Sequence, residues 1–346
     1  MAEKEASYYL FLDDNKVRCM LCPHLCTINR GNSGICKVRY NNNGKLFTRI
    51  YNIVSAINID PIEKKPLYHF YPGSKILSIG TIGCNLQCQF CQNSDISQVT
   101  ENEFPFLRPY IINDLVKIAV NEKNNIGIAY TYNEPVVWFE FMLDIAKEAK
   151  KNNLLNVVVS NGYIMPQPLD ELIPYIDAFN IDLKSFSEDF MKKYTHSTLK
   201  PVLDNLVKIK NNTKHLEITN LVIPTLNDNE AEFAGMVKWI SENLGNDVPL
   251  HISRYFPRYK LYIDETPIET LERFYNIAQG FLKYVYIGNA SIGNSNNTIC
   301  NKCGNIIIER RGYYVFIKGL DIKGRCTSCG EKIIDYFIVP DRGQEF

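Results

Sequence analysis

The chain has no excess charge of either sign: 38 lysines and arginines balance 38 aspartates and glutamates over 346 residues. It therefore has no global field to draw in nucleic acid or an anionic membrane, and neither is an expected partner. No stretch approaches 18 uninterrupted apolar residues, so no membrane span is expected. The opening Met-Ala-Glu-Lys-Glu-Ala is polar and has no apolar core of a secretory signal behind it. Histidine is scarce at five residues and tryptophan scarcer at two. Hydrophobic residues make up 45% and charged residues 22%, which excludes wholesale disorder. Against these scarcities the chain carries eleven cysteines.

The cysteines fall into three groups: Cys19, Cys22, Cys26 and Cys36; Cys84, Cys88 and Cys91; and Cys300, Cys303, Cys326 and Cys329. Disulfide-rich proteins are usually short, secreted and poor in core. Here the chain is long and core-rich, and pairs spaced two or three residues apart suit metal ligation better than bridging. Metal-binding thiols must stay reduced, so a cytoplasmic location is expected.

Between the outer groups, short apolar runs alternate with amphipathic stretches, the pattern of repeated βα units. Strands are predicted over Lys75–Gly80, Ile126–Tyr132, Asn156–Ser160, Phe179–Lys184, Leu216–Ile223, Leu250–Tyr255 and Tyr284–Ile287. Helices are predicted over Ile111–Glu122, Val136–Asn152, Gln167–Ile176, Ser187–Lys210, Asn229–Leu244 and Pro267–Leu282. Asp228 and Asn229 are candidate N-caps and Gly245 a stop. The expected fold class is α/β, a complete or partial TIM-type (βα) barrel, with a doubly wound open sheet as the alternative. Three domains are expected: a four-cysteine module over residues 1–60, the core over 61–292 and a zinc-ribbon-like tail over 293–346. The asparagine-rich patches Asn41–Gly44 and Gly293–Asn297 are expected turns or linkers.

In such barrels the chemistry sits at the carboxyl ends of the strands. Those ends carry Gly80-Thr81-Ile82-Gly83 before the central cysteines, then Thr131-Tyr132-Asn133-Glu134-Pro135, Ser160-Asn161-Gly162 and Asn180-Ile181-Asp182-Leu183-Lys184. A period of two puts Asn180, Asp182 and Lys184 on one face. Cys84-x3-Cys88-x2-Cys91 offers three thiolates from one loop, one short of a closed structural zinc site. A cubane cluster held by three cysteines keeps one iron open for another ligand.

Cys84-x3-Cys88-x-Phe90-Cys91 after the first core strand resembles the radical S-adenosylmethionine superfamily. The resemblance implies a [4Fe–4S] cluster that binds S-adenosylmethionine and cleaves it to a 5′-deoxyadenosyl radical, with a ferredoxin or flavodoxin as electron donor. It also implies cofactor contacts at Phe90, Asn133, Glu134, Ser160, Asn161, Asp182 and Lys184. Within the glycyl-radical activating branch, Glu134-Pro135 matches a Gly-Gly-Glu-Pro element whose two glycines are here Tyr132 and Asn133. Val159 stands where those activases have an acidic residue, and Phe256 where they have a histidine. The reaction expected is hydrogen abstraction from an unidentified substrate. A glycyl-radical activase and a non-catalytic metal-dependent binding module are the alternatives.

Cys300-x2-Cys303-Gly304 and Cys326-x2-Cys329-Gly330 form two knuckles whose four sulfurs suit zinc. Ile306–Ile308 and Tyr313–Ile317 are expected to make a hairpin between them, and Arg310, Arg311, Lys318, Lys323 and Arg325 a solvated basic face. Spacing alone leaves Cys19, Cys22, Cys26 and Cys36 open to zinc or an auxiliary iron–sulfur cluster. Cys22-Pro23-His24, Cys36-Lys37-Val38-Arg39, Asp60-Pro61-Ile62-Glu63-Lys64-Lys65-Pro66-Leu67 and Gln92-Asn93-Ser94-Asp95-Ile96-Ser97 resemble the AmmeMemoRadiSam system radical SAM enzymes. These are similar to pyruvate formate-lyase activating enzymes, and the resemblance implies Memo-like and AMMECR-like partners.

Overall fold

The computed structural model describes residues 4–212 and 214–337. Met1, Ala2 and Glu3 of the N-terminal reading, and residues 338–346 of the expected tail, lie outside the described residues.

An eight-stranded sheet organises the chain. Its strands are β1 (Ala56–Pro61), β2 (Lys75–Gly80), β3 (Asn125–Tyr130), β4 (Leu155–Ser160), β5 (Ala178–Asp182), β6 (His215–Val222), β7 (Leu250–Arg254) and β8 (Val285–Gly288). They lie in sequence order across the sheet, all parallel except the antiparallel pair β1–β2. A doubly wound sheet reverses its strand order at a switch point, and this one does not. Right-handed crossovers in a monotonic order place the connecting helices on one face. The strand order runs from the β1 edge to the β8 edge, and among the described residues no pairing joins these two edges. β1 begins before residue 61, so the sheet recruits its edge strand from the segment assigned to the N-terminal module.

The helices between strands are α1 (Ile112–Asn121), α2 (Phe139–Lys151), α3 (Pro166–Leu172), α4 (Leu199–Asn211), α5 (Glu230–Leu244) and α6 (Ile268–Gln279). In α5 the Asn229 side chain accepts a hydrogen bond from Glu232 N–H at 3.0 Å, and the helix stops at Gly245 with φ 99°. The single helix expected over 187–210 is broken. A short turn capped by Ser187 ends at His196, which adopts φ 58°, and α4 restarts at Leu199. Pro201 explains the restart, because proline is tolerated in a first helical turn and not in an interior. Glu188 reaches over to accept from Leu199 N–H at 2.8 Å.

The two faces of the sheet differ. Leu77, Ile79, Ile128, Tyr130, Val158, Phe179 and Ile181 join the main hydrophobic core, to which the helices contribute. On the inner face, Ala129, Val157 and Ala178 pack on Ile62, Leu67 and Phe70, which plug the end where the strands begin. Polar residues follow along the same face, including Asn180 and Glu217, both fully buried.

The first sixty residues hold two three-stranded antiparallel sheets that the sequence reading did not place. One contains the hairpin Arg39–Asn42 with Lys45–Thr48, turned by Asn43 and Gly44 at φ 51° and 86°, as expected for an Asn-Gly turn. At the other end, Thr298–Ile299, Ile306–Arg311 and Tyr314–Ile317 form a three-stranded sheet. Arg310 does not belong to a solvated face. It is 5% exposed, lies 4.1 Å over the Tyr68 ring and donates to Tyr68 O at 2.8 Å and Thr298 Oγ1 at 2.9 Å, tying the tail to the plug.

Candidate active site

Cys84, Cys88, Phe90, Cys91, Asn133, Glu134, Ser160, Asn161, Asp182 and Lys184 all line one cavity of about 270 Å³ at the carboxyl ends of the strands. They come from three strand ends and one loop, and only the fold brings them together. A larger cleft of about 500 Å³ lies at the opposite end of the sheet and is lined by no cysteine.

Burial pushes the thiols of all three cavity cysteines up: Cys84 well above the ordinary range, helped by the Glu134 charge, and Cys88 to about 12. Such thiols ionise when a metal supplies the missing positive charge. Lys184 is the nearby protein cation and pulls Cys88 and Cys91 back down. Its own ammonium sits 2.6 Å from Asp182. Burial favours the neutral amine, but Asp182 and the thiolates outweigh it and hold the Lys184 pKa up. One of its three N–H groups goes to Asp182, which leaves two for an anionic guest.

Glu134 is a structural hub. Its Oε1 accepts from Ser160 Oγ at 2.6 Å and Val136 N–H at 3.0 Å, and its Oε2 from Asn161 N–H at 2.9 Å. Burial raises it to about 7, against the pull of those three neutral donors. Asn133 is equally engaged: its Oδ1 accepts from Thr81 N–H at 2.9 Å and its Nδ2 donates to Gly83 O at 2.9 Å, clamping the loop ahead of Cys84. Asn161 Nδ2 lies 3.8 Å from Cys84 Sγ and 2.9 Å from Asn85 Oδ1. Phe90 is 3% exposed and packs on Phe190 with ring centres 5.9 Å apart.

Tyr132 takes φ 70°, a conformation that favours glycine. Contacts hold it there: its carbonyl accepts from Asn93 Nδ2 at 2.7 Å, and its hydroxyl donates to Asp60 Oδ2 at 2.5 Å. Asp60 also pairs with Lys65 at 2.7 Å and Lys64 at 2.9 Å. The Asp60–Lys65 run thus braces the cavity wall. The cavity further includes Gln92, Asn93, Thr219, Leu221, Ser253 and Asn289, which sequence reasoning did not select. Alternation on β7 puts Ser253 on the same face as His251, and that was the usable signal.

The flanking cysteines differ from one another. Cys300, Cys303, Cys326 and Cys329 bring their sulfurs within 4.8 Å of one another. Their closest pairs are 3.5 Å and 3.6 Å apart. Cys19, Cys22, Cys26 and Cys36 line a separate cavity against Asn85.

The chain matches the radical SAM superfamily over residues 78–240, which hold the three-thiol loop and the half-buried Lys184–Asp182 pair. It is an enzyme that uses radical chemistry. It is 44% identical over 333 residues to the uncharacterized protein MJ0808 of Methanocaldococcus jannaschii, covering 95% of this chain and 98% of that protein. It is similar to the pyruvate formate-lyase-activating enzyme of Staphylococcus epidermidis, with 22% identity over 177 residues, 49% of this chain and 70% of that one. The (2S)-3-sulfopropanediol dehydratase activating enzyme of Klebsiella oxytoca is 23% identical over 127 residues, 37% of this chain and 40% of that one. A domain of the pyruvate-formate lyase-activating enzyme from Bacteroides vulgatus superposes with a TM-score of 0.42 at 18% identity, covering 47% of this chain and 99% of that one.

Proposed function

We propose that Cys84, Cys88 and Cys91 hold a [4Fe–4S] cluster and that the cavity beside them binds S-adenosylmethionine, from which a 5′-deoxyadenosyl radical abstracts hydrogen from a substrate. The observation that carries this reading is the meeting of three thiols with Lys184 in one cavity. When bound, the cluster supplies one electron to the sulfonium, which releases methionine and the radical. The chain's own share is positional. Lys184, steadied by Asp182, has two N–H groups to orient the methionine carboxylate. Ser160, Asn161 and the backbone at Asn133 offer polar contacts, Phe90 an apolar one, and Glu134 keeps the strand-end loops in register. Thr219, Ser253 and Asn289 extend the cavity wall toward the substrate. Anaerobically reconstituted protein should form 5′-deoxyadenosine under reduction, and the Cys84→Ala/Cys88→Ala/Cys91→Ala variant should form none. Equal formation by both proteins overturns the assignment.

The motifs around Cys22, Cys36 and Asp60 support membership of the AmmeMemoRadiSam system, with Memo-like and AMMECR-like proteins as partners and a ferredoxin or flavodoxin as electron donor. A cytoplasmic location suits the reduced thiols. The four clustered sulfurs of the tail suit zinc, because a tetrahedron with Zn–S of about 2.3 Å has edges of about 3.8 Å. A glycyl-radical activase is the second reading, favoured by the similarity to activating enzymes. Tyr132, Val159 and Phe256 depart from that branch and favour another substrate. Deuterium transfer from candidate substrates into 5′-deoxyadenosine separates the two.

A further inference from the structure

We infer that Cys19, Cys22, Cys26 and Cys36 hold a second iron–sulfur cluster, electrically adjacent to the central site and able to relay its electron. The relay role rests on the reading of Cys84, Cys88 and Cys91 above; the second cluster itself does not.

Three observations carry it. The first is sulfur spacing. Among the described residues, ligand atoms of His, Cys, Asp and Glu converge to within 4.8 Å of one another in one place, the C-terminal four. That is the spacing a single zinc ion imposes. The N-terminal four surround a shared cavity without closing to that distance. The central three behave in the same way. A cubane keeps four irons between its cysteine sulfurs and so holds them wider apart than one zinc does.

The second observation is an orphaned donor. Arg39 lines the same cavity and is 1% exposed. Its Nη1 is engaged with both Glu140 oxygens, at 2.9 Å and 3.0 Å, yet its buried Nε–H has no acceptor. A buried donor without an acceptor is costly. Arg39 shares the walls of that cavity with Cys19, Cys22, Cys26 and Cys36. A sulfur-rich anionic cluster gives that N–H an acceptor, and hydrogen bonds to sulfur help set cluster potentials. The other walls are mostly apolar, from Leu21, Ile28, Ile35, Val136 and Val137, with His24 and Asn85 as polar members.

The third observation is position. Gly83, at φ 84°, packs so closely on the N-terminal module that a Cβ there would stand 2.8 Å from the Cys36 carbonyl oxygen. His24 Nε2 donates to Asn85 O at 2.7 Å, and Asn85 itself lines the N-terminal cavity. The loop residues on either side of Cys84 therefore touch both groups of cysteines. A cluster at the N-terminal four accepts one electron from a ferredoxin- or flavodoxin-class donor and passes the same electron to the central site. It ends each cycle in its starting oxidation state.

The full-length Cys84→Ala/Cys88→Ala/Cys91→Ala variant, reconstituted anaerobically, tests the site whether or not the central cluster cleaves anything. It should retain about four iron and about four labile sulfide per chain. After reduction it should give a cluster signal by electron paramagnetic resonance that added S-adenosylmethionine leaves unchanged. A variant holding extra zinc and no sulfide would overturn the proposal. Cys22→Ser in the otherwise native chain tests the relay. The ratio of cofactor cleavage driven by flavodoxin to that driven by dithionite should fall at least tenfold, and an unchanged ratio overturns the relay. If Cys22→Ser fails to fold, rapid-freeze spectra of the native protein mixed with reduced flavodoxin decide it. The N-terminal signal must appear before the central one.

Discussion

A buried glutamate stands toward each end of the sheet, and the two have opposite fates. Near the cavity, Glu134 accepts only from backbone N–H groups and a serine hydroxyl, and burial lifts it to about 7. At the plugged end, Glu217 accepts from His251 at 2.6 Å, His215 at 2.9 Å, and the backbone of Tyr68 and His69 at 3.0 Å and 2.7 Å. Burial pushes Glu217 up as well, but the two imidazoles reverse it and hold the carboxylate well below 4.5. Desolvation is common to both; the charge of the donors decides the sign. The plugged end is thereby locked, with His251 as a core residue, while the cavity end keeps a carboxylate that titrates near neutrality.

The sharpest way to break this contrast is Glu217→Gln. Removing one partner from a buried charged network should destabilise the fold by about 3–5 kcal/mol in denaturant titration. The depressed folded-state pKa also fixes the pH window. The contribution of Glu217 is fully present above its ordinary value of 4.5 and is lost as pH falls through the folded value. Native protein should therefore lose stability below that point more steeply than the variant.

Glu134→Gln should change the pH dependence in the other direction. Because the folded protein holds this proton more tightly, native stability declines as pH rises from 4.5 to about 7 and is level above it. At about 1.4 kcal/mol per pKa unit the decline is a few kcal/mol at most. The variant should flatten it, and an unchanged slope would mean that Glu134 is ionised throughout.

Lys184→Met asks whether the cavity end is built for a guest. Loss of one charge-assisted hydrogen bond should weaken S-adenosylmethionine by about 1.5–3 kcal/mol, roughly ten- to hundredfold, with little change in melting point. Equal affinity with a lower melting point would make the Lys184–Asp182 pair part of the scaffold. The smallest effect is expected for Tyr132→Phe, which removes the hydroxyl donated to Asp60. Asp60 keeps Lys64 and Lys65, so the loss should be about 1 kcal/mol in the same titration.

Much of this was legible along the chain because it is local. Apolar runs of five or six residues with helical patterns between them set the order of strands in the sheet. Ligand spacing within one loop marked Cys84, Cys88 and Cys91, and paired knuckles marked the tail. Asn229 capped the helix it was expected to cap. The strands of the two N-terminal three-stranded sheets are two to four residues long with mixed burial, too short for a period to register. Pro201 carried the break in the 187–210 helix, but its place in a first turn became visible only with Glu188 folded over it.

By itself the sequence determined how the cysteines are grouped, where the parallel strands run and which strand ends carry polar side chains, since each depends on neighbours a few residues apart. The tertiary structure decided what those side chains do. Glu134 and Asn133 clamp loops, Arg310 leaves the surface to pin the tail, and Arg39 keeps an unpaired N–H in the wall of the cavity that the N-terminal cysteines line. It also decided that one set of four sulfurs closes to zinc spacing and the other stays open. These outcomes depend on burial and on partners from 12 to 242 positions away in the chain, such as Thr298 and Tyr68 for Arg310. No local pattern encodes them, because the strength of a charge or a donor is set by what surrounds it after folding.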